Sequence, residues 1–230
     1  MDSLLSWIAA PSTKRRLQRD YAPQTAAPIL SEVFAETVAD ASAVGFVLAR
    51  LPAGQGPVLW VQDRVSGKES GLSYLPGMPD IAVLRVAVNR PIDALWAMEE
   101  GLRCGGLRGV IGEIWGDPPA LSFTATKRLA MRAEASGVPC WLMRRAAEAN
   151  LSAARDRWRV GVLPSVPQRF DTQAPGMPRW RVELFRSRKT KPGVWVASYD
   201  GATGHLHLAA EPRDGAVPAR DVGSGKRAAG

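Results

Sequence analysis

The chain has 230 residues, of which 46% are hydrophobic and 23% charged, with a net charge of +8. This is the balance of one good-sized globular domain and excludes a fibrous or wholly disordered chain. No apolar run approaches the ~18 residues that cross a bilayer, and the apolar stretch near the N-terminus has no basic region ahead of it, which argues against a secretory signal.

Residues 1–28 read as a peripheral segment: a short amphipathic piece (Leu4, Leu5, Trp7, Ile8), a basic turn, then Ala22 to Pro28. The core starts near Ile29. Ser31-Glu32-Val33-Phe34 reads as a strand, and residues 36–51 as a helix with Val38, Ala41, Val44, Val47, Leu48 and Leu51 at helical spacing. The Pro52–Pro57 stretch breaks it. Val58–Val61 is an apolar run of the kind found in buried parallel strands. Residues 62–73 read as a polar loop. Ile81–Val88 is a strand, and residues 92–104 a helix with Ile92, Leu95, Trp96 and Leu102 turned inward and a Glu99/Arg103 pair on its surface. Val110–Ile114 is a buried strand. A helix over 124–136 follows, capped by Thr124 or Thr126 and stopped by Gly137. Val138–Met143 is the next strand. The two cysteines, Cys104 near a helix end and Cys140 in a strand, read as buried thiols of a reducing compartment.

After residue 150 the pattern changes. Trp158, Val160 and Val162 alternate with Arg157 and Arg159, and Trp180, Val182 and Leu184 alternate with Arg179, Arg181 and Glu183. Two further short strands, Val194–Val196 and His205–Leu208, follow Gly-containing turns. Such alternation indicates antiparallel strands with one wet face. Strand and helix alternate before residue 150, so the expected fold is α/β: a mostly parallel sheet flanked by helices, extended by antiparallel C-terminal strands. It occupies residues 29–210, and 211–230 read as a disordered tail.

A helix that follows the first strand prompts a search for a phosphate loop, which needs glycines, a lysine and a Ser/Thr for magnesium. At that place the chain reads Ala35-Glu36-Thr37-Val38-Ala39-Asp40-Ala41-Ser42-Ala43. It has neither Gly nor Lys, and two acids stand where the helix dipole would welcome a phosphate. Ser66-Gly67-Lys68 comes after the second strand and lacks the upstream glycine. Nucleotide hydrolysis is therefore not expected, and no cofactor or metal is implied. Glu113 and Asp63 end strands, where an NTPase would keep a magnesium acid and a base. Without the loop they read as polar strand ends on the rim. His205 and His207 share one strand face and read as a solvent-facing pair.

The charge is concentrated. Residues 1–154 carry a net +1, residues 155–191 a net +7 and the remainder none. If Trp158 and Trp180 face the core, Arg157, Arg159, Arg179 and Arg181 gather on the outer face. Arg186, Arg188, Lys189 and Lys191 extend that patch into a turn. It suits a phosphate backbone or an acidic protein surface, and a merely solvated face is the alternative.

The series Glu32-Val33-Phe34, Val58–Val61, Asp93–Arg103, Val110–Glu113 and Lys127–Gly137 runs in the order of the RecA ATPase core. The local wording is similar to the ImuA family of RecA-related, damage-inducible mutagenesis proteins. The resemblance rests on Leu59-Trp60-Val61-Gln62, Leu95-Trp96-Ala97-Met98-Glu99-Glu100, Ala133-Glu134-Ala135-Ser136-Gly137, Arg157-Trp158-Arg159-Val160 and Pro178-Arg179-Trp180-Arg181-Val182-Glu183-Leu184. It implies a RecA-like fold and a non-enzymatic accessory factor of SOS-induced translesion synthesis, cytoplasmic and nucleoid-associated after damage. The implied partners are an ImuB-like Y-family polymerase relative and RecA. An error-prone polymerase III alpha-type subunit would be reached indirectly, and single-stranded DNA is a further candidate. RecA's ATP-binding residues have no counterparts here. RecA-like proteins place a DNA-contacting loop after the fourth core strand. The corresponding segment, 144–156, offers Arg144 and Arg145 for phosphate, with salt bridges to Glu148 as the alternative.

Overall fold

Short apolar runs bounded by turn residues become strands covered on both faces, and the computed structural model joins them into one sheet. It describes residues 29–210, apart from Ala39, Gln55, Pro79, Asp80, Arg169, Thr172 and Ala202. The peripheral segment expected at 1–28 and the tail expected at 211–230 lie outside the described residues. In chain order the elements are β1 (Leu30–Ala35), α1 (Ser42–Ala49), β2 (Val58–Asp63), α2 (Arg64–Ser70), β3 (Val83–Val88), α3 (Pro91–Gly101), β4 (Gly109–Trp115), α4 (Phe123–Ser136), β5 (Cys140–Arg145), β6 (Asp156–Leu163), β7 (Arg179–Ser187), β8 (Gly193–Asp200) and β9 (His205–Ala210).

The strand order is β3-β2-β4-β5-β1-β6-β7-β8-β9. Pairing is parallel from β3 to β6 and antiparallel from β6 to β9. The chain therefore has the expected α/β arrangement of a parallel core flanked by helices with an antiparallel extension. One boundary moves: β6, expected among the antiparallel strands, pairs parallel with β1 and antiparallel with β7. Its alternation comes from its place at the end of the helix-covered region.

Helices cover both faces of the parallel part. On one face α1 packs Phe46 and Val47 against Trp141, Trp158, Val160 and Trp180. Phe46 meets Trp141 edge-on at 6.2 Å and tilts against Trp158 at 5.2 Å, arrangements that aromatic quadrupoles favour. On the other face α3 and α4 bury Leu95, Met98, Leu102, Leu129 and Ala133 against Leu30, Val110 and Leu142.

Several local expectations change. The first helix begins at Ser42, not at residue 36, because the chain first makes a side-chain-bonded turn. Residues 64–70 form α2 rather than a loop, its N-terminus capped by Asp63 accepting from the Ser66 N–H at 2.7 Å. Leu95 and Leu102 point inward, whereas Ile92 and Trp96 are exposed. Glu99 faces Arg128 and Arg132 on α4 instead of Arg103, which pairs with Glu100. The cap of α4 is Ser122, accepting from Ala125 N–H at 3.3 Å, while the Thr126 hydroxyl bonds back to the carbonyls of Ser122 and Phe123. Gly137 ends α4 as expected, at φ 77 in the left-handed region. Cys140 is buried, and its thiol is pushed well above its ordinary value by burial; Cys104 is exposed.

Candidate partner and nucleic-acid interface

The turn after β1 is closed by its own side chains. Asp40 accepts from the Ser42 N–H at 2.8 Å and from the Ser42 hydroxyl. Thr37 Oγ1 donates to the same carboxylate at 2.9 Å. A carboxylate thus satisfies donors at the α1 N-terminus, the role a bound anion would fill. Arg145 is buried and donates from Nη1 to the carbonyls of Val38 and Asp40, at 3.0 and 2.8 Å. Glu36 is held by Arg181 at 3.0 Å.

Glu113 and Asp63, expected on the rim of the sheet, are each only 2% exposed. Gln62 Nε2 bridges Glu113 Oε2 at 2.6 Å and the Gly71 carbonyl at 3.0 Å. Asp63 caps α2 and also accepts from the Trp115 N–H at 3.3 Å. Burial raises the Glu113 carboxyl above its ordinary value, opposed by the Gln62 hydrogen bond and the Arg145 charge. Both acids are taken up by the protein's own donors.

The arginines separate into three groups. Arg144, Arg145 and Arg157 are buried. Arg144 pairs with Asp117, donates to the Gly116 carbonyl at 3.0 Å and lies 3.9 Å from Glu32. Burial lowers its guanidinium from the ordinary value, while the charges of Glu32 and Asp117 hold it up. Neither Arg144 nor Arg145 pairs with Glu148, the expected alternative. The Glu148 N–H instead donates to Asp117 at 3.0 Å. Arg157 lies on the expected outer face but is covered: it pairs with Glu32 at 2.7 Å and stacks on Phe34 and Phe185 at 5.4 and 5.3 Å.

The second group is paired on that outer face. Arg159 reaches Glu183 at 3.2 Å and sits over Phe185 at 4.4 Å. Arg181 holds Glu36. Arg179 is half-buried at the start of β7, opposite Leu163. The outer face is thus a mixed-charge surface.

The third group remains basic. Ser187 pairs with Asp156 at the start of β6, so the β7–β8 turn lies at the end of the sheet opposite the β1–α1 turn. Ser187 Oγ accepts from the N–H groups of Lys189 and Thr190, at 3.2 and 3.0 Å, and donates to Asp156 at 2.7 Å. Arg188 N–H donates to the Arg155 carbonyl at 3.1 Å. This local hydrogen bonding shapes the turn while the Arg186, Lys189 and Lys191 side chains stay outside the core. Glu134 is nearby: its bond from Arg155, 2.6 Å long, holds its carboxyl below the ordinary value, and the charges of Arg188 and Lys189 act the same way. Glu134 and Asp156, the latter bonded through Ser187, stand beside Arg155, Arg188 and Lys189. Arg155 and Glu134 were not read from the sequence as a pair at this surface, since only the fold brings α4 to the β7–β8 turn.

His205 and His207 stand 6.3 Å apart on exposed positions of β9. Among the described residues no group of three or more His, Cys, Asp or Glu is placed to hold a metal, and no helix is long and apolar enough to cross a membrane. No family model matches the chain. It is, however, 31% identical over 182 residues to Protein ImuA of Caulobacter vibrioides strain NA1000 / CB15N, an alignment covering 73% of this chain and 72% of that protein. The same identity and coverage hold for Protein ImuA of strain ATCC 19089 / CIP 103742 / CB 15 of that species. Identity spread over that much of both chains, on an α/β sheet of the expected form, makes this chain a member of the ImuA family.

Proposed function

We propose that the chain is a non-enzymatic accessory protein of damage-induced, error-prone DNA synthesis and acts by binding partners. The closed β1–α1 turn is the observation that carries this reading. Asp40 satisfies donors at the α1 N-terminus, and Arg145 is spent on two carbonyls of the same turn. A triphosphate would meet a carboxylate where RecA-like ATPases need glycine N–H groups and a lysine. Glu113 and Asp63, the acids nearest an NTPase's needs, are bonded to Gln62 and to helix α2.

The domain is residues 29–210, and its working surface is the turn carrying Arg186, Arg188, Lys189 and Lys191. Family membership supports an ImuB-like polymerase relative and RecA as partners, with the error-prone polymerase reached indirectly. The basic turn suits an acidic surface on such a protein, or single-stranded DNA at a lesion. Arg144, Arg145 and Arg157 belong to the frame of the sheet rather than to this surface, because each is buried and bonded inside the protein. Arg159 and Arg181 are held by Glu183 and Glu36, and Arg179 lies at the far end of β7 from this surface.

The testing experiment compares damage-induced mutation frequency in cells that lack the chain with that in complemented cells. Loss of the induced mutations without the chain, and their return with it, is the expected result. Unchanged induction in its absence contradicts the reading.

A further inference from the structure

A cleft of about 200 Å³ opens beside the carboxyl ends of β4 and β5, the place where open parallel sheets keep their ligand crevices. Apolar walls come from Pro118 and Leu121 in the β4–α4 connection and from Leu151, which is 71% exposed, in the segment before β6. The inner wall is polar: Glu32, Thr126, Arg144 and Ser152 all line the cleft and all are buried.

Buried polar groups normally have their hydrogen bonds made, and most of these do. Glu32 accepts from Ser152 Oγ through Oε1 and from Arg157 Nε through Oε2, each at 2.7 Å. Asp117, at the rim, accepts from Arg144 Nη2 through Oδ1 and from the Glu148 N–H through Oδ2 at 3.0 Å. The Thr126 hydroxyl donates to carbonyls of α4 and accepts from the Ala153 N–H at 3.1 Å. Arg144 is the exception. Its Nη2 is bonded to Asp117 and to the Gly116 carbonyl at 3.0 Å. Its Nε has no partner, and the acid nearest Nη1 is Glu32 Oε1, 3.9 Å away and already accepting from Ser152. A guanidinium whose side chain is 4% exposed thus leaves donors unmatched in the cleft wall.

The missing partner is an acceptor. Arg144 and Arg157 are balanced in number by Glu32 and Asp117, so no surplus charge is present to hold a dianion. A single negative charge shared by two oxygens suits an arginine, whose bonds to carboxylates are among the strongest that side chains make. Thr126 lies in the first turn of α4, where the helix dipole favours an anion. Pro118, Leu121 and Leu151 offer a short apolar stem a surface to lie on. We propose that this cleft binds a carboxylate carried on a short apolar group. The site is separate from the basic turn and does not depend on the partner-binding reading.

The test titrates the full chain with sodium butyrate and follows backbone amide shifts by NMR. The amides of residues 123–126 and 150–152 should shift together to saturation, with a Kd of about 5 mM or tighter, as a ligand of that size supports. Butyramide and inorganic phosphate should each bind at least about tenfold more weakly. Arg144→Lys keeps the charge, loses the planar fork and should weaken butyrate about tenfold. Because that position is buried, Leu151→Glu and Leu151→Lys at the exposed mouth are measured beside it. Affinity should fall about fivefold in the first and rise in the second, with wild-type melting in both. A tetrapeptide ending in leucine separates the sources of the carboxylate. Binding tighter than butyrate with a free terminus, lost on amidation, assigns the cleft to a protein C-terminus. Butyrate binding without peptide binding assigns it to a free small acid. Butyramide equal to butyrate, phosphate tighter than butyrate, affinity indifferent to both charges at position 151, or no saturable shift around the cleft overturns the proposal.

Discussion

Reversing the charge of Arg188, Lys189 and Lys191 to glutamate should reduce damage-induced mutagenesis to the level of cells that lack the chain. The three residues sit in a turn whose shape comes from the Ser187 hydroxyl and from backbone groups, and not from their side chains. Folding stability should therefore change by no more than about 0.5 kcal/mol for each of the three residues, the usual range for an exposed site. The measurement is mutation frequency after irradiation, with urea unfolding as the fold control. Salt then separates the two targets. Binding to single-stranded DNA falls with salt by about 0.7 units of log–log slope for each phosphate contact. An acidic protein surface gives a shallower dependence, because no condensed counterions are released. Wild-type mutagenesis from the triple variant would make this turn only a solvated face.

Glu32→Ala should be the most damaging single change to stability. Glu32 is fully buried and accepts from Ser152 Oγ and Arg157 Nε, each at 2.7 Å, with Arg144 at 3.9 Å. The cluster is already short of acceptors, since Arg144 Nε and Arg157 Nη2 are buried without a hydrogen-bond partner. Removing the carboxylate leaves two buried guanidinium groups with Asp117 as their remaining acid. Breaking a buried pair in this way costs about 3–5 kcal/mol, a large share of the 5–15 kcal/mol that typically holds a domain together. Urea unfolding measures it. Replacing Glu32 and Arg157 together by leucine should recover much of the loss, because the desolvation of both ions is then avoided. A loss below about 1 kcal/mol for Glu32→Ala would mean that the pair behaves like a solvated surface bridge.

The strands were legible because Val58–Val61, Val110–Ile114 and Trp180–Leu184 carry their burial in their own composition. Helix α2 was not: Arg64-Val65-Ser66-Gly67-Lys68-Glu69-Ser70 has one apolar residue and no period, and it forms because Asp63 caps it. Ile92 and Trp96 have helical spacing but fall on the flank of α3 beyond the reach of the sheet, which local periodicity does not report. The arginines show the same boundary. Alternation correctly put Arg157 and Arg159 on one face of β6. What covers Arg157 is Glu32 and Phe34 of β1 together with Phe185, the extra residue where the β6–β7 register shifts. Strand order and bulges are long-range facts, and they decide which arginines stay at the surface. The basic turn was legible because its four cations fall within one run of six residues, 186–191, so that their clustering is local in the sequence. The Glu134–Arg155 pair beside it joins α4 to a residue 21 positions on, a contact that only the folded chain creates.

The central claim is that the protein works by contact rather than by nucleotide chemistry, and equilibrium titration of the full chain with magnesium and a fluorescent ATP tests it most directly. With Asp40 at the α1 N-terminus and Arg145 held by two carbonyls, the affinity should be weaker than about 1 mM, less than roughly 4 kcal/mol of binding free energy. Submicromolar binding, or ATP turnover that Glu113→Ala abolishes, would contradict the account.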